Sequence, residues 1–326
     1  MRTRQPQERR CSYVVLVEPA SAEPDALREL ARYLSTISLA DCDVVILDPS
    51  PRLQFERNAC TLRWVGRHVA VRPEMNGSVD LLRASAGSAA CDKVIVAASD
   101  VRYTPLAIEQ LCQLLDLHEV VEPQDYLDPL PWWGGVEAAR MLVHRGIEPH
   151  PDHGATFGFR RSALRTLRTL SSVDCTEDPM RRLVAHGAEV HAAADVFVRR
   201  QPPALSEWIA DRPRQASDDF PLPIRSAFFF ALVPMLLLLA TIGGLRLAGG
   251  YAGVIAFASF AVALRGRSGA GAFFPLRACF FAPVWMLERS LSVYWALFRK
   301  LRGADVDSTR IAVPDRSSGT RVASGE

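Results

Sequence analysis

The sequence predicts an α/β domain built on a mainly parallel sheet flanked by helices, followed by a C-terminal membrane region. Three observations predict it. Short β-rich runs alternate with helical segments up to about Arg200. The composition changes abruptly after Pro223. Residues 226–245 then form an apolar stretch of about 20 residues, enough to cross a hydrocarbon core of roughly 30 Å.

The first strand is 13–17. The helix 25–39 follows, because Leu27, Leu30, Ala31, Leu34 and Ile37 recur at helical spacing. A second strand is 43–47, a short third strand is 69–72, and 78–90 reads as a helix rich in small residues. The clearest central strand is 93–97. Thr104 suits the N-cap of the next helix and Pro105 its first position, where a missing N–H costs nothing. That helix runs to about Leu117, and Val120 and Val121 begin another strand. Residues 162–170 and 179–186 read as helices, with Gly187 as a C-cap. There are no internal repeats.

A second apolar stretch, 247–264, carries Gly249, Gly250 and Gly253, and only Arg246 separates it from the first. The pair predicts a tight transmembrane hairpin. The third stretch, 273–298, includes Arg277, Glu288 and Arg289. Charges cost about 2.5–3.5 kcal/mol each at the centre of a spanning helix, which favours an interfacial amphipathic segment over a third span. The polar tail 301–326 reads as disordered.

Of 326 residues, 49% are hydrophobic and 23% charged, which allows one large domain and an appendage. A net charge of +2 without a basic stripe excludes nucleic acid as a partner. The seven cysteines are scattered, without zinc-site spacing or disulfide density, and read as reduced core residues. The apolar run after the basic residues 1–10 is broken by Glu18 and Pro19, too short for a signal-peptide core. A cytosolic first domain is the expectation.

Ligands of open parallel sheets bind outside the carboxyl ends of the strands. Three acids stand there: Glu18 after the first strand, Asp48 at the end of the second, and Asp100 after the central one. Acids in such loops also cap helices or face water. His150, Asp152 and His153 lack a further ligand at metal-site spacing. Trp132 and Trp133 suit either an acceptor ring or packing. No P-loop or dinucleotide fingerprint occurs, which leaves kinase and dehydrogenase chemistry without support.

The segment 94–103, Val-Ile-Val-Ala-Ala-Ser-Asp-Val-Arg-Tyr, resembles the strand and metal-binding loop of family 2 glycosyltransferases, which have the GT-A fold. Residues 44–51 are similar to that family's second-strand loop. Residues 123–132 resemble a block of bacterial, actinobacterial-looking members, and 154–161 its small-residue loop before the acceptor-side helix. The resemblance covers most of the chain and implies a GT-A-like domain over 11–205, a juxtamembrane connector over 206–223 and membrane helices over 224–300.

The resemblance further implies a nucleotide-sugar donor at Glu18, Asp48, Ser99 and Asp100, with Mg²⁺ or Mn²⁺ at Asp100. Family members usually carry further aspartates where this chain has Ala98 and Ser99, so one hard oxygen ligand remains and a weakly held ion is expected. Thr176-Glu177-Asp178 matches the acidic motif of inverting members, whose last aspartate is the general base; Asp178 also suits an N-cap before Pro179. Arg212 and Arg214 lie where membrane-bound members carry a Gln-Arg-x-Arg motif that meets diphosphate, although juxtamembrane arginines also meet anionic headgroups. The expectation is a multi-pass protein of the cell membrane that transfers a sugar to a lipid, lipid-linked or saccharide acceptor. The rival is a catalytically weakened homologue that serves as a membrane-bound binding or assembly protein.

Overall fold

The computed structural model describes residues 9–17, 24–72, 79–147, 156–163, 189–217, 220 and 223–302. Strands β1 (Cys11–Leu16) and β2 (Cys42–Asp48) are buried along their whole length, as strands covered on both faces must be. They pair in parallel, with Leu16 opposite Leu47. Between them α1 (Pro24–Leu39) buries Leu27, Leu30, Ala31, Leu34 and Ile37, the face defined by the sequence spacing.

Helix α2 (Arg52–Leu62) was not predicted. It buries only Asn58 and Leu62 and so lacks an apolar period. Strand β3 (Arg67–Ala70) overlaps the predicted third strand, and α3 (Val79–Ser88) falls within the predicted 78–90. Strand β4 (Lys93–Ala98) pairs in parallel with the free side of β1, Ala98 opposite Leu16.

A turn leads into β5 (Val101–Arg102) and then α4 (Pro105–Leu117). The Thr104 hydroxyl accepts the Ala107 N–H at 3.1 Å, the cap that the sequence predicts. There follow β6 (Val120–Leu127), α5 (Gly134–Ile147), β7 (Thr156–Arg160) and β8 (Val190–Arg200).

The eight strands form one sheet in the order β3-β2-β1-β4-β7-β6-β8-β5. Four pairings are parallel and three antiparallel, so the sheet is mixed rather than mainly parallel. The causes are β7, which enters antiparallel between β4 and β6, and the short β5, which pairs antiparallel with β8. Strand β7 occupies residues expected to be a loop, since a Phe-Gly-Phe alternation is too short to declare itself in sequence. One face of the sheet is covered by α1 and α4, and the other carries Leu82, Phe157 and Phe159.

The remaining helices are α6 (Leu205–Ser217), α7 (Pro223–Gly266), α8 (Leu276–Cys279) and α9 (Ala282–Leu301). Helix α7 is broken at Gly244, whose φ of 64° is in a region that glycine enters without a Cβ penalty. An unbroken helix of 44 residues would span about 66 Å. Yet both ends of α7 touch α5. Arg225 contacts His144, and the Val262 carbonyl lies so close to Gly146 that a Cβ there would stand 2.3 Å from its oxygen. The chain therefore folds back on itself near Gly244, two residues before the predicted division at Arg246.

Residues 224–266 are long and apolar enough to cross a membrane, and the most apolar window is only 11% buried, unlike the core helix of a globular domain. Helix α9 turns Trp285, Arg289, Ser290 and Val293 inward and leaves Val284, Leu287, Leu291, Trp295 and Phe298 exposed.

Among the described residues six cysteines are free; Cys11 and Cys42 face each other across paired strands at 3.5 Å between sulfurs, whereas Cys60 is exposed and not the core residue expected. The predicted helix 179–186, Gly187, Cys175, the tail from 303 onward and all but the start of the predicted helix 162–170 lie outside the described residues.

Candidate functional site

The strand order β3-β2-β1-β4 makes the chain leave β1 on one side and return on the other. A crevice for ligand opens where such an order reverses, outside the carboxyl ends of the two strands. Here those ends are Leu16 and Ala98, which are register partners, so Ser99 and Asp100 stand directly beside the exit of β1. Glu18 belongs to that exit by sequence but lies outside the described residues, as do Asp178, His150, Asp152 and His153.

The turn at Ser99 and Asp100 is braced from behind. Arg102 donates to the carbonyls of Ser99 and Val101, pairs with Glu29 on α1, and stacks over the Tyr33 ring at 4.8 Å. Because β5 pairs with the end of β8, Arg102 lies opposite Arg199 and Val101 opposite Arg200. The same pairing delivers Arg200 to the site. Its Nε donates to Asp100 Oδ2 at 2.7 Å, and the Gln201 N–H donates to the Asp100 carbonyl at 2.9 Å. Among the described residues Asp100 Oδ1 has no hydrogen-bond partner, although it is buried.

A second acid, Asp125 on β6, completes the group. It is buried, and its Oδ1 also lacks a partner among the described residues. Burial pushes its carboxyl up to about 7; Arg200 opposes the rise, and Asp100 and Glu122 add to it. Conversely, Asp100 and then Asp125 hold the Arg200 guanidinium firmly charged, against the effect of burial. Asp100, Arg200 and Asp125 thus form one electrostatic unit. Sequence reasoning missed Asp125 and Arg200. Asp125 lay within the quoted 123–132 block, but its nearness to Asp100 depends on strand pairing, for which spacing carries no signal.

Asp48 ends β2 on the same edge of the sheet, yet it is fully buried and bonded. Oδ1 accepts the Ser50 N–H at 2.9 Å, and Oδ2 accepts from Asn58 at 2.8 Å and meets His68 Nε2 at 2.9 Å. Burial alone would raise this carboxyl, but the bonds from His68, Ser50 and Asn58 outweigh it and hold the group at about 2. Its folded pKa lies below the ordinary value of about 4. The resulting stability is complete above that pH and is lost as pH falls towards 2, about 2 kcal/mol in all. Asp48→Asn should therefore flatten the acid limb of the stability curve between about pH 4 and 2. An unchanged limb in acid titrations would exclude these bonds.

Arg212 and Arg214 share α6 but not an environment. Arg214 is exposed, 4.0 Å from Asp211. Arg212 is only 4% exposed and donates to Glu137 of α5 at 2.9 Å. Glu137 also accepts from Trp208 Nε1 at 3.1 Å and from Arg140 at 2.8 Å. Burial would raise Glu137, but Arg140 and Arg212 overcome it and hold the carboxyl well below the usual range. Trp133 is buried against Trp208, whereas Trp132 is 77% exposed.

Among the described residues no group of three His, Cys, Asp or Glu side chains could hold a metal ion. The unpartnered Oδ1 of Asp100 is a single hard oxygen. It suits a divalent cation only when other ligands, such as phosphate oxygens and water, complete the shell.

No protein-family model and no curated protein matches the chain. Solved structures do. A mannosyltransferase from Pyrobaculum calidifontis, solved with GDP-Man and Mn2+, is 16% identical over 87% of this chain and 87% of its own, with a TM-score of 0.47. Glucosyl-3-phosphoglycerate synthase from Mycobacterium tuberculosis, solved with Mn2+, UDP and glucosyl-3-phosphoglycerate, is 16% identical over 61% of this chain and 75% of its own, with a TM-score of 0.39.

Proposed function

We propose that the chain is a membrane-bound, inverting glycosyltransferase that moves a sugar from a nucleotide-sugar donor to a lipid, lipid-linked or saccharide acceptor. The observation that carries the reading is Asp100, whose Oδ1 lacks a partner among the described residues, at the reversal of strand order. Glu18, Ser99 and Asp100 would line the donor crevice. Asp48, saturated by its own bonds, would act by holding the Pro49–Pro51 turn at the crevice edge. Arg214 is open to a diphosphate, and Arg212 would act from its bond to Glu137.

A Mg²⁺ or Mn²⁺ ion shared between Asp100 and the donor would neutralise the departing diphosphate. Asp178 would take the proton of the acceptor hydroxyl. The fold-back of α7 at Gly244 and the exposed apolar stripe of α9 support a membrane hairpin beside an interfacial helix. Arg225, Arg265 and Arg267 then lie on one side, which favours a cytosolic N-terminal domain at the cell membrane.

Calorimetry with UDP- and GDP-sugars tests the reading. Donor affinity should rise with Mn²⁺, Mn²⁺ affinity should rise by the same factor with donor, and Asp100→Asn should erase both increases. Ala98, Ser99 and the Arg200 bond on Asp100 favour the rival, a binding or assembly protein of weakened activity. Failure of every nucleotide sugar to bind, with and without metal, would decide for it.

A further inference from the structure

Away from the strand ends, four arginines from four helices converge on one place. Glu137, Arg140 and His144 recur along one side of α5 at helical spacing. Arg212 comes from α6, Arg225 from the first turn of α7 and Arg289 from α9. Arg140 and Arg212 share the Glu137 carboxylate, and Arg289 donates to the Gln215 carbonyl at 2.5 Å. Arg225 donates to His144. His144 is pushed well below the usual imidazole range, first by burial and then by Arg225, Arg140 and Arg289.

Among the described residues two buried donors of this cluster have no hydrogen-bond partner. One is Arg212 Nη1, on a side chain 4% exposed, and the other is Trp285 Nε1, on a ring that meets His144 edge-on at 5.5 Å. Orphaned buried donors are costly and call for an acceptor. Guanidinium forks match the oxygens of a phosphate better than they match a halide or a lone carboxylate oxygen.

The cluster's level in the protein selects the kind of phosphate. Arg225 is half-buried in the first turn of the long apolar helix, and Arg289 is on α9, whose outer face is the exposed apolar stripe. Headgroups of a bilayer that receives α7 would stand at that height.

We propose that Arg212, Arg225, Arg289 and Trp285 form a binding site for the terminal phosphomonoester of an anionic membrane lipid. Arg140 positions Arg212 through Glu137. The site adjoins the strand-end group, because Arg140 acts electrostatically on Asp125 and Glu137 on Arg200. A bound headgroup phosphate would therefore lie beside the donor crevice. That a lipid held there is an acceptor rests on the transfer reading above; that it binds does not.

The test uses the full chain in neutral detergent, with thermal stability and native mass spectrometry as readouts. The probes are short-chain phosphatidic acid, phosphatidylcholine of the same chain length, oleate and inorganic phosphate. Phosphatidic acid should raise the melting temperature and remain bound, with the other three much weaker. Arg225→Gln should weaken it by about tenfold or more, and Arg225→Lys, which keeps the charge and loses the fork, by less. Inorganic phosphate binding as tightly as phosphatidic acid would overturn the lipid assignment. Equal retention of phosphatidylcholine and phosphatidic acid by the wild-type protein would overturn the site itself, whether or not the variants fold. Loss of nucleotide-sugar binding with phosphatidic acid retention intact would remove the transfer reading and leave this site standing.

Discussion

Replacing Glu137 with alanine should destabilise the protein by about 3–5 kcal/mol, because it leaves two buried guanidiniums without their shared carboxylate. Arg140 and Arg212 both donate to Glu137, and Trp208 loses its acceptor in the same step. Buried pairs are little screened, so the loss should vary little between low and high salt. Denaturant unfolding in neutral detergent measures it. A change within about 0.5 kcal/mol, the range of ordinary surface substitutions, would show that water reaches the cluster and that the pairs are dispensable.

Asp178→Asn should lower the rate of sugar transfer by about 10²–10⁴-fold while donor affinity stays nearly constant, because a base acts on the acceptor hydroxyl and hardly touches the nucleotide. Transfer kinetics and donor calorimetry on one preparation separate the two effects. Asp178 lies outside the described residues, and its role rests on the Thr176-Glu177-Asp178 motif. Its position before Pro179 supplies the competing outcome. Retained activity with a stability loss of about 1 kcal/mol would make Asp178 a helix cap alone.

The two substitutions probe different layers of the molecule. Glu137 ties the sheet domain, through α5, to the helix that precedes the apolar region. Asp178→Asn probes the proposed reaction. A protein that loses Glu137 and melts early, yet transfers sugar normally at low temperature, would assign the arginine cluster to assembly and the strand ends to chemistry.

By itself the sequence determined what is local along the chain. The buried face of α1 followed from the spacing of Leu27, Leu30, Leu34 and Ile37, and the start of α4 from Thr104 and Pro105, since periodicity and capping are written within a few residues. The composition break after Pro223 likewise marked the apolar helix, and Asp100 could be singled out because it directly follows a strand.

Only the tertiary structure decided what meets what. Asp100 and Arg200 are 100 residues apart, and Glu137 and Arg212 are 75 apart. Neither separation carries a pattern, because the first pair is set by the register of β5 on β8 and the second by the packing of α6 on α5. Glu137 reads in sequence as an ordinary acid on a helix, and its burial appears only when α6 and α9 close over α5. Strand β7 was illegible for the same reason. Five residues have too little periodicity to announce a strand, and Thr156–Arg160 becomes one because β4 and β6 offer it unpaired backbone on both sides.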